Sequence, residues 1–467
     1  MAMARSLMGD VRPAAVAGLF YPSNPDELRA AVYSYLAADA ASADIAANGD
    51  SVKAAIAPHA GYRYSGRTAG AAYRVLAPRS DTVERVVVVG PAHRIRLDGI
   101  GLSTARAWAT PLGEAEVDVA LCDDLAEVTR VSYADAAHAP EHSIEVHLPF
   151  VQVVFGDVPV VPLLVGQASV DEVARVLDIV WGGDETAVVV SSDLSHYLDD
   201  IAARRRDRRT ADAILDGRVD EIGPHDACGC LPIAGLLTAA LEHRLAPRLL
   251  RLSTSADTTG ERARVVGYGS FALLPRPDLG EADRQWLADL ARRVIDHELD
   301  HGEPLLLDNL DNPDDVDVPA AVRAPGASFV TLERDDELLG CIGSLEPQRA
   351  LWRDVVHNAR GAAFDDPRFP ALAGDAWDGV SVEVSILSPL EEIPAAGADD
   401  VASRLRPGVD GLVLVAEGRR GTFLPDVWDK IPKPIEFVHE LLLKAGCPGP
   451  WIEGTRAWRY TTLTAQA

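Results

Sequence analysis

The chain of 467 residues is longer than one hydrophobic core usually supports, and with 48% hydrophobic residues it has material for two. Its 44 basic against 71 acidic side chains leave a formal net charge of -27, which argues against nucleic-acid or anionic-lipid binding through a general basic surface. No run reaches the roughly 18 apolar residues of a membrane span. The opening MAMARSLMGDVRP lacks the apolar stretch of a signal peptide, so a cytoplasmic location is expected.

In chain order, AAIAPH, VVVVGPAH and AVVVSSDLSH are apolar runs that each end close to a histidine: His59, His93 and His196. Continuous Val/Ile/Ala runs bounded by Gly and Pro predict strands buried on both faces of a largely parallel, helix-covered sheet. In such sheets the ligand crevice lies beyond the carboxyl ends of the strands, where these histidines fall. Further strands are expected in VPVVPLLVG and RARVVGYGSFALL, after which PRPDLG punctuates the chain. We place the domain boundary there, at 1–276 and 277–467.

EADRQWLADLARRVIDHEL, with Trp286, Leu287, Leu290, Val294 and Ile295 at helical spacing, predicts an amphipathic helix opening the second unit. From Asp296 to Asp317 every fixed charge is negative, which predicts solvated loop. The regular oxygen-ligand spacing of a calcium loop is missing. ASFVTLERDDELLGCIGSL then reads as a hairpin about Asp335-Asp336. VSVEVSILSPL and DGLVLVAEGRRGTFLP supply more strands, the latter with its turn expected at Gly-Arg-Arg-Gly, and helices are expected in ALWRDVVHNARGAAF and IEFVHELLLKAG. The sum is an α+β unit, a mainly antiparallel sheet with helices to one side.

EHSIEVHLPF places Glu141, His142, Glu145 and His147 within seven positions. If helical, His142 and Glu145 share a face and His147 lies about 140° from His142. If extended, Glu145 and His147 share a face instead. SSDLSH brings Asp193 and His196 to a strand end, where the Asp can orient a histidine, take its proton or cap a following helix. The Gly-x-Ser-x-Gly elbow of a serine hydrolase is missing. In DACGCLPI, Cys228 and Cys230 point the same way if the segment is extended. Thiolate with imidazole suits zinc, copper or iron. Two histidines with one cysteine leave a coordination position open for chemistry.

PHAGYRYSGRTAG, GPAHR, EHSIEVHLPF, SSDLSH and ACGCLPI, in this order and spacing, resemble the MEMO family, the B component of the AmmeMemoRadiSam system. That family is similar in fold to class III non-haem iron extradiol dioxygenases. The resemblance implies metal positions at His59, His93 and Cys228, and pocket positions at His147, Asp193 and His196. The chain departs from the family at Cys230 and Leu231, where an Arg followed by a small residue or His is common. It departs from the dioxygenases in offering a thiolate for a carboxylate. LLGCIGSLEP, FDDPRFPAL, VEVSILSPLEEI and GRRGTFLP resemble AMMECR1, the A component, with Cys341 as its candidate nucleophile or ligand.

The expected protein is therefore an α/β domain with a mononuclear 2-His-1-Cys pocket, fused to an AMMECR1-like domain. His196, oriented by Asp193, would move a proton, with His147 as the third catalytic residue, and His142, Glu145, Cys230 and Cys341 stand as further candidates. Iron is the first choice of metal, with copper or zinc as alternatives. The resemblance implies a radical-SAM enzyme as partner and a small or modified molecule as substrate. A non-catalytic copper or iron handler and a metal-dependent hydrolase are the rival readings.

Overall fold

A computed structural model describes residues 10–37, 52–305, 318–335, 337–447, 451–452 and 454–467. The chain divides into two compact units, Met1–Pro277 and Asp278–Ala467, with the division inside PRPDLG.

The first unit is built on a nine-stranded mixed sheet. Its middle is four parallel strands in the spatial order Ala54–Ala57, Thr186–Ser191, Arg85–Pro91 and Val160–Val165. Every position from Val86 to Pro91 and from Thr186 to Ser191 is buried, so these strands meet no solvent on either face. Each valine withdrawn from water in this way contributes about 1.5–3 kcal/mol, and its β-branched side chain suits the pleat. Helices such as Tyr62–Leu76, Val170–Val180 and Cys230–Glu242 carry the buried residues that cover the sheet. Antiparallel strands extend both flanks: Val265–Pro275 pairs with Ala54–Ala57, and Ile100–Leu102 with Val160–Val165. A separate three-stranded sheet joins Val11–Arg12 to the strands Ala107–Thr110 and Gly113–Glu116.

Three neighbouring parallel strands end at Ala57, Ser191 and Pro91, so the segments bearing His59, Asp193 and His93 leave the sheet at one edge. That shared exit is what brings residues distant in sequence within reach of one ligand.

The second unit is α+β with antiparallel pairing, as expected, but the pairing is divided mainly between two four-stranded sheets where one was expected. The helices Glu281–His301 and Leu351–Arg360 share a core with the sheet containing Ser328–Arg334 and Ser381–Leu387. Ala398–Arg404 and Pro434–Lys444 share a core with the sheet containing Gly411–Ala416 and Arg456–Tyr460. The hairpin expected about Asp335 forms, pairing Arg334 with Glu337.

Two local expectations are corrected. The turn after Gly411–Ala416 is Glu417-Gly418, both at positive φ (49° and 76°), as a two-residue hairpin turn requires, and Arg419 and Arg420 already pair in the next strand. The opening helix runs on to His301, so Asp296 to His301 is helical rather than loop; residues 306–317 lie outside the described residues.

Candidate metal centre

Three imidazoles converge at this sheet edge. Ligand nitrogens of His59, His93 and His142 all lie within 4.8 Å of one another. The rings sit 5.1–5.4 Å apart between centroids, with His93 and His142 stacked and His59 edge-on to both. His59 and His93 follow two of the parallel strands. His142 arrives on the loop before the short helical turn Glu145–His147. That loop can lie against the strand because Gly90 has no side chain: a Cβ there would come within 2.6 Å of Ser143 Oγ. Ser143 Oγ then donates to the Pro91 carbonyl at 2.9 Å.

The second nitrogen of each ring is held or faced from behind. The Ser191 hydroxyl donates its one hydrogen to the Ser143 carbonyl at 2.6 Å. It can therefore only accept from His59 Nδ1, at 2.6 Å, and from His147 Nε2, at 3.0 Å. This fixes the neutral His59 ring with hydrogen on Nδ1 and a lone pair on Nε2. Glu141 Oε1 accepts from His93 Nδ1 at 3.0 Å and lies 3.1 Å from His142 Nδ1. The same carboxylate takes the backbone N–H groups of His93, His142 and Ser143.

The electrostatics follow from this arrangement. Burial first, then the neighbouring histidines, push His59 well below the ordinary imidazole range, which keeps it neutral. Burial alone would raise the Glu141 carboxyl, but hydrogen bonds from His142 and His93 more than offset it and hold Glu141 well below the usual range. The donor set fits a transition-metal ion, because three imidazoles present nitrogens whose opposite ring edges are held or faced by a hydroxyl and a carboxylate.

The converging trio differs in one member from the expected set of His59, His93 and Cys228. Cys228 adjoins His59, with Sγ 3.3 Å from Nε2, and Sγ also accepts from the Asp193 N–H at 3.3 Å. Burial, and next the Asp193 charge, push this thiol up to about 12, so it is protonated without a cation beside it. The segment is not extended: Gly229 caps the helix Cys230–Glu242, and a Cβ at Gly229 would strike the Ser191 carbonyl at 2.6 Å. Cys230 therefore begins a helix and packs against the core, and burial raises its thiol too.

The remaining expected residues take other places. Asp193 does not orient His196: its Oδ1 accepts from the His59 and Ala60 N–H groups at 2.8 and 3.2 Å, and burial raises its carboxyl. It caps no following helix either; Asp199 caps Asp200–Leu215. His196 is exposed and donates from Nδ1 to the Leu194 carbonyl at 2.8 Å. His147 lies behind Ser191, and burial lowers it to about 3. Glu145 faces away from the trio. Fully buried, it pairs with the equally buried Arg12 at 2.7 Å and accepts from Tyr21 OH and the Ala15 and Val16 N–H groups. Arg12 also donates to the carbonyls of His138 and Glu141, tying the amino-terminal segment to the loop that carries His142. In the second unit, Cys341 accepts a hydrogen bond from Thr331 at 3.4 Å, its N–H donates to Asp366, and burial raises its thiol.

A mixed α/β sheet with imidazoles gathered at the carboxyl ends of its parallel strands defines a candidate metal-binding protein of the crevice type. Residues 12–272 match the family described as Memo-like protein, and the chain belongs to that family. Residues 288–465 match AMMECR1, so both domains stand in one chain. A MEMO1 family protein of Methanopyrus kandleri is 36% identical over 283 residues, spanning 56% of this chain and 98% of its own. One from Archaeoglobus fulgidus is 36% identical over 274 residues, 55% of this chain and 97% of its own. The crystal structure of an uncharacterised Pyrococcus horikoshii protein aligns at 29% identity over 40% of this chain and 92% of its own, with a TM-score of 0.36. Among the described residues, no helix is long and apolar enough to cross a membrane.

Proposed function

We propose that the N-terminal domain binds one transition-metal ion at His59, His93 and His142, with Cys228 beside it, and serves a metal-dependent, dioxygenase-like reaction. The observation that carries this reading is the convergence of three imidazoles whose back edges are engaged by Ser191 and Glu141. Iron is the first choice and copper or zinc the alternatives, since imidazole suits all three. When bound, the ion supplies a Lewis acid in a crevice open to a small or modified substrate. Glu141 holds the ligand rings in place, Asp193 fixes the His59 backbone, and His196 moves a proton at the exposed rim. The AMMECR1 domain and a radical-SAM enzyme act with it in this scheme, in the cytoplasm.

Metal analysis of the full chain purified without oxygen tests the reading. About one tightly held equivalent is expected, lost in the His59→Ala/His93→Ala variant. Equal retention by that variant sinks the proposal. A handling role is favoured by one observation, the Cys228 thiol at 3.3 Å from His59 Nε2, because soft sulfur suits cuprous copper. X-ray absorption separates the readings: two bonded sulfurs would favour the handler, and none or one the enzyme. Small-molecule profiling of cells lacking the protein then looks for an accumulating substrate, whose identity also distinguishes oxidation from hydrolysis.

A further inference from the structure

A second group of imidazoles stands far along the chain from the first. His297 and His301 are one helical turn apart on Glu281–His301, so their side chains share a face. Their rings stack at 4.3 Å between centroids and 19° between planes. His301 Nδ1 donates to the His297 carbonyl at 3.0 Å, which fixes its tautomer and leaves the Nε2 lone pair free. His297 is half-buried and His301 exposed.

Two of the neighbouring acids on this helix are engaged elsewhere, while Asp300 beside His301 is exposed. Glu298 pairs with Arg360 at 3.0 Å, and Asp296 accepts from Trp377 Nε1 at 2.6 Å. Among the described residues, no third His, Cys, Asp or Glu completes a compact ligand group with the two rings. Two histidines separated by three residues on one helix face are a chelating arrangement for late transition-metal ions. With two protein nitrogens and solvent in the other positions, such a site exchanges its ion readily and prefers Cu2+ among divalent first-row ions.

We propose that His297 and His301 form a second, solvent-open site for a divalent late transition-metal ion. It holds the ion more weakly than the three-histidine crevice and independently of it. The net charge of -27 adds long-range attraction for such a cation. The proposal does not depend on the crevice being a metal site, because the two clusters share no residue.

The test is titration of the full chain, purified metal-free, with Cu2+, followed by calorimetry and by electron paramagnetic resonance for the number of coordinating nitrogens. Wild type should take up a tight and a weaker equivalent. His297→Ala and His301→Ala should each weaken the second equivalent at least tenfold and leave the first unchanged. Alanine favours helix at both positions, and circular dichroism checks that the fold is kept. In His59→Ala/His93→Ala, one weak equivalent with two-nitrogen coordination should remain. If that variant binds no Cu2+, or if the His297→Ala/His301→Ala double variant keeps the weaker equivalent, the proposal is overturned. Failure of the crevice reading looks different: the tight equivalent alone would be missing from wild type.

Discussion

Glu141 and Glu145 sit four residues apart, one on the loop that carries His142 and the other at the start of the helical turn that follows it, and serve opposite sides of that segment. Glu141 accepts from two ligand-bearing residues and faces the crevice. Glu145 is sealed behind the loop against Arg12, with neither side chain exposed. The first carboxylate organises a site and the second organises the segment that presents the site. What separates them is which way the loop turns at His142, which Gly90 permits by admitting Ser143 and which Arg12 braces from more than a hundred residues away in sequence.

Variants can probe this division of labour, in order of decreasing consequence. The Arg12–Glu145 pair is where the heaviest loss is expected: Arg12→Met strands a buried carboxylate and should cost about 3–5 kcal/mol, read by chemical denaturation. If it costs no more than a surface substitution, the brace is not structural. Glu141→Gln should leave stability much closer to wild type but weaken metal retention about 10–100-fold, read by competition with a chelator. Equal loss of stability in the two variants would erase the distinction.

A third measurement concerns acid. His138 is fully buried, donates from Nε2 to the Gly101 carbonyl at 3.1 Å and offers its own carbonyl to Arg12. Burial lowers its pKa from 6.5 to about 4, so the unfolded chain binds the proton more readily than the folded one. Its contribution to stability is thus complete above about pH 6.5 and is lost as the pH falls toward 4. In His138→Gln the fall in stability across that window should be shallower than in wild type; identical slopes would show that His138 does not titrate there. The mildest change is expected from Cys230→Ser, which should leave metal occupancy nearly unchanged, whereas Cys228→Ser should shift the spectrum of the bound ion. Equal effects of the two would mean that both thiols face the crevice.

The strands and the edge they share are legible in the sequence because a buried parallel strand must be apolar at every position, and such runs stand out. His59 and His93 can be placed for the same reason. His142 can be suspected but not chosen over Cys228, because the direction of its loop depends on Gly90 admitting Ser143. The role of Arg12 leaves no local signal at all: an arginine near an amino-terminus resembles any solvated cation, and only the fold supplies its carbonyl and carboxylate partners. The Glu417-Gly418 turn is hidden differently, since two arginines between glycines resemble a turn more strongly than a glutamate does.

With its only hydrogen committed to Ser143, the Ser191 hydroxyl acts as a one-way receptor and admits only rings that bring a hydrogen of their own. His59 is thus locked in orientation and tautomer before any ion arrives, so capture need not freeze a rotating ring. Ser191→Ala would free that ring to flip, and the penalty should fall on the speed and selectivity of capture while the three imidazoles themselves remain in place.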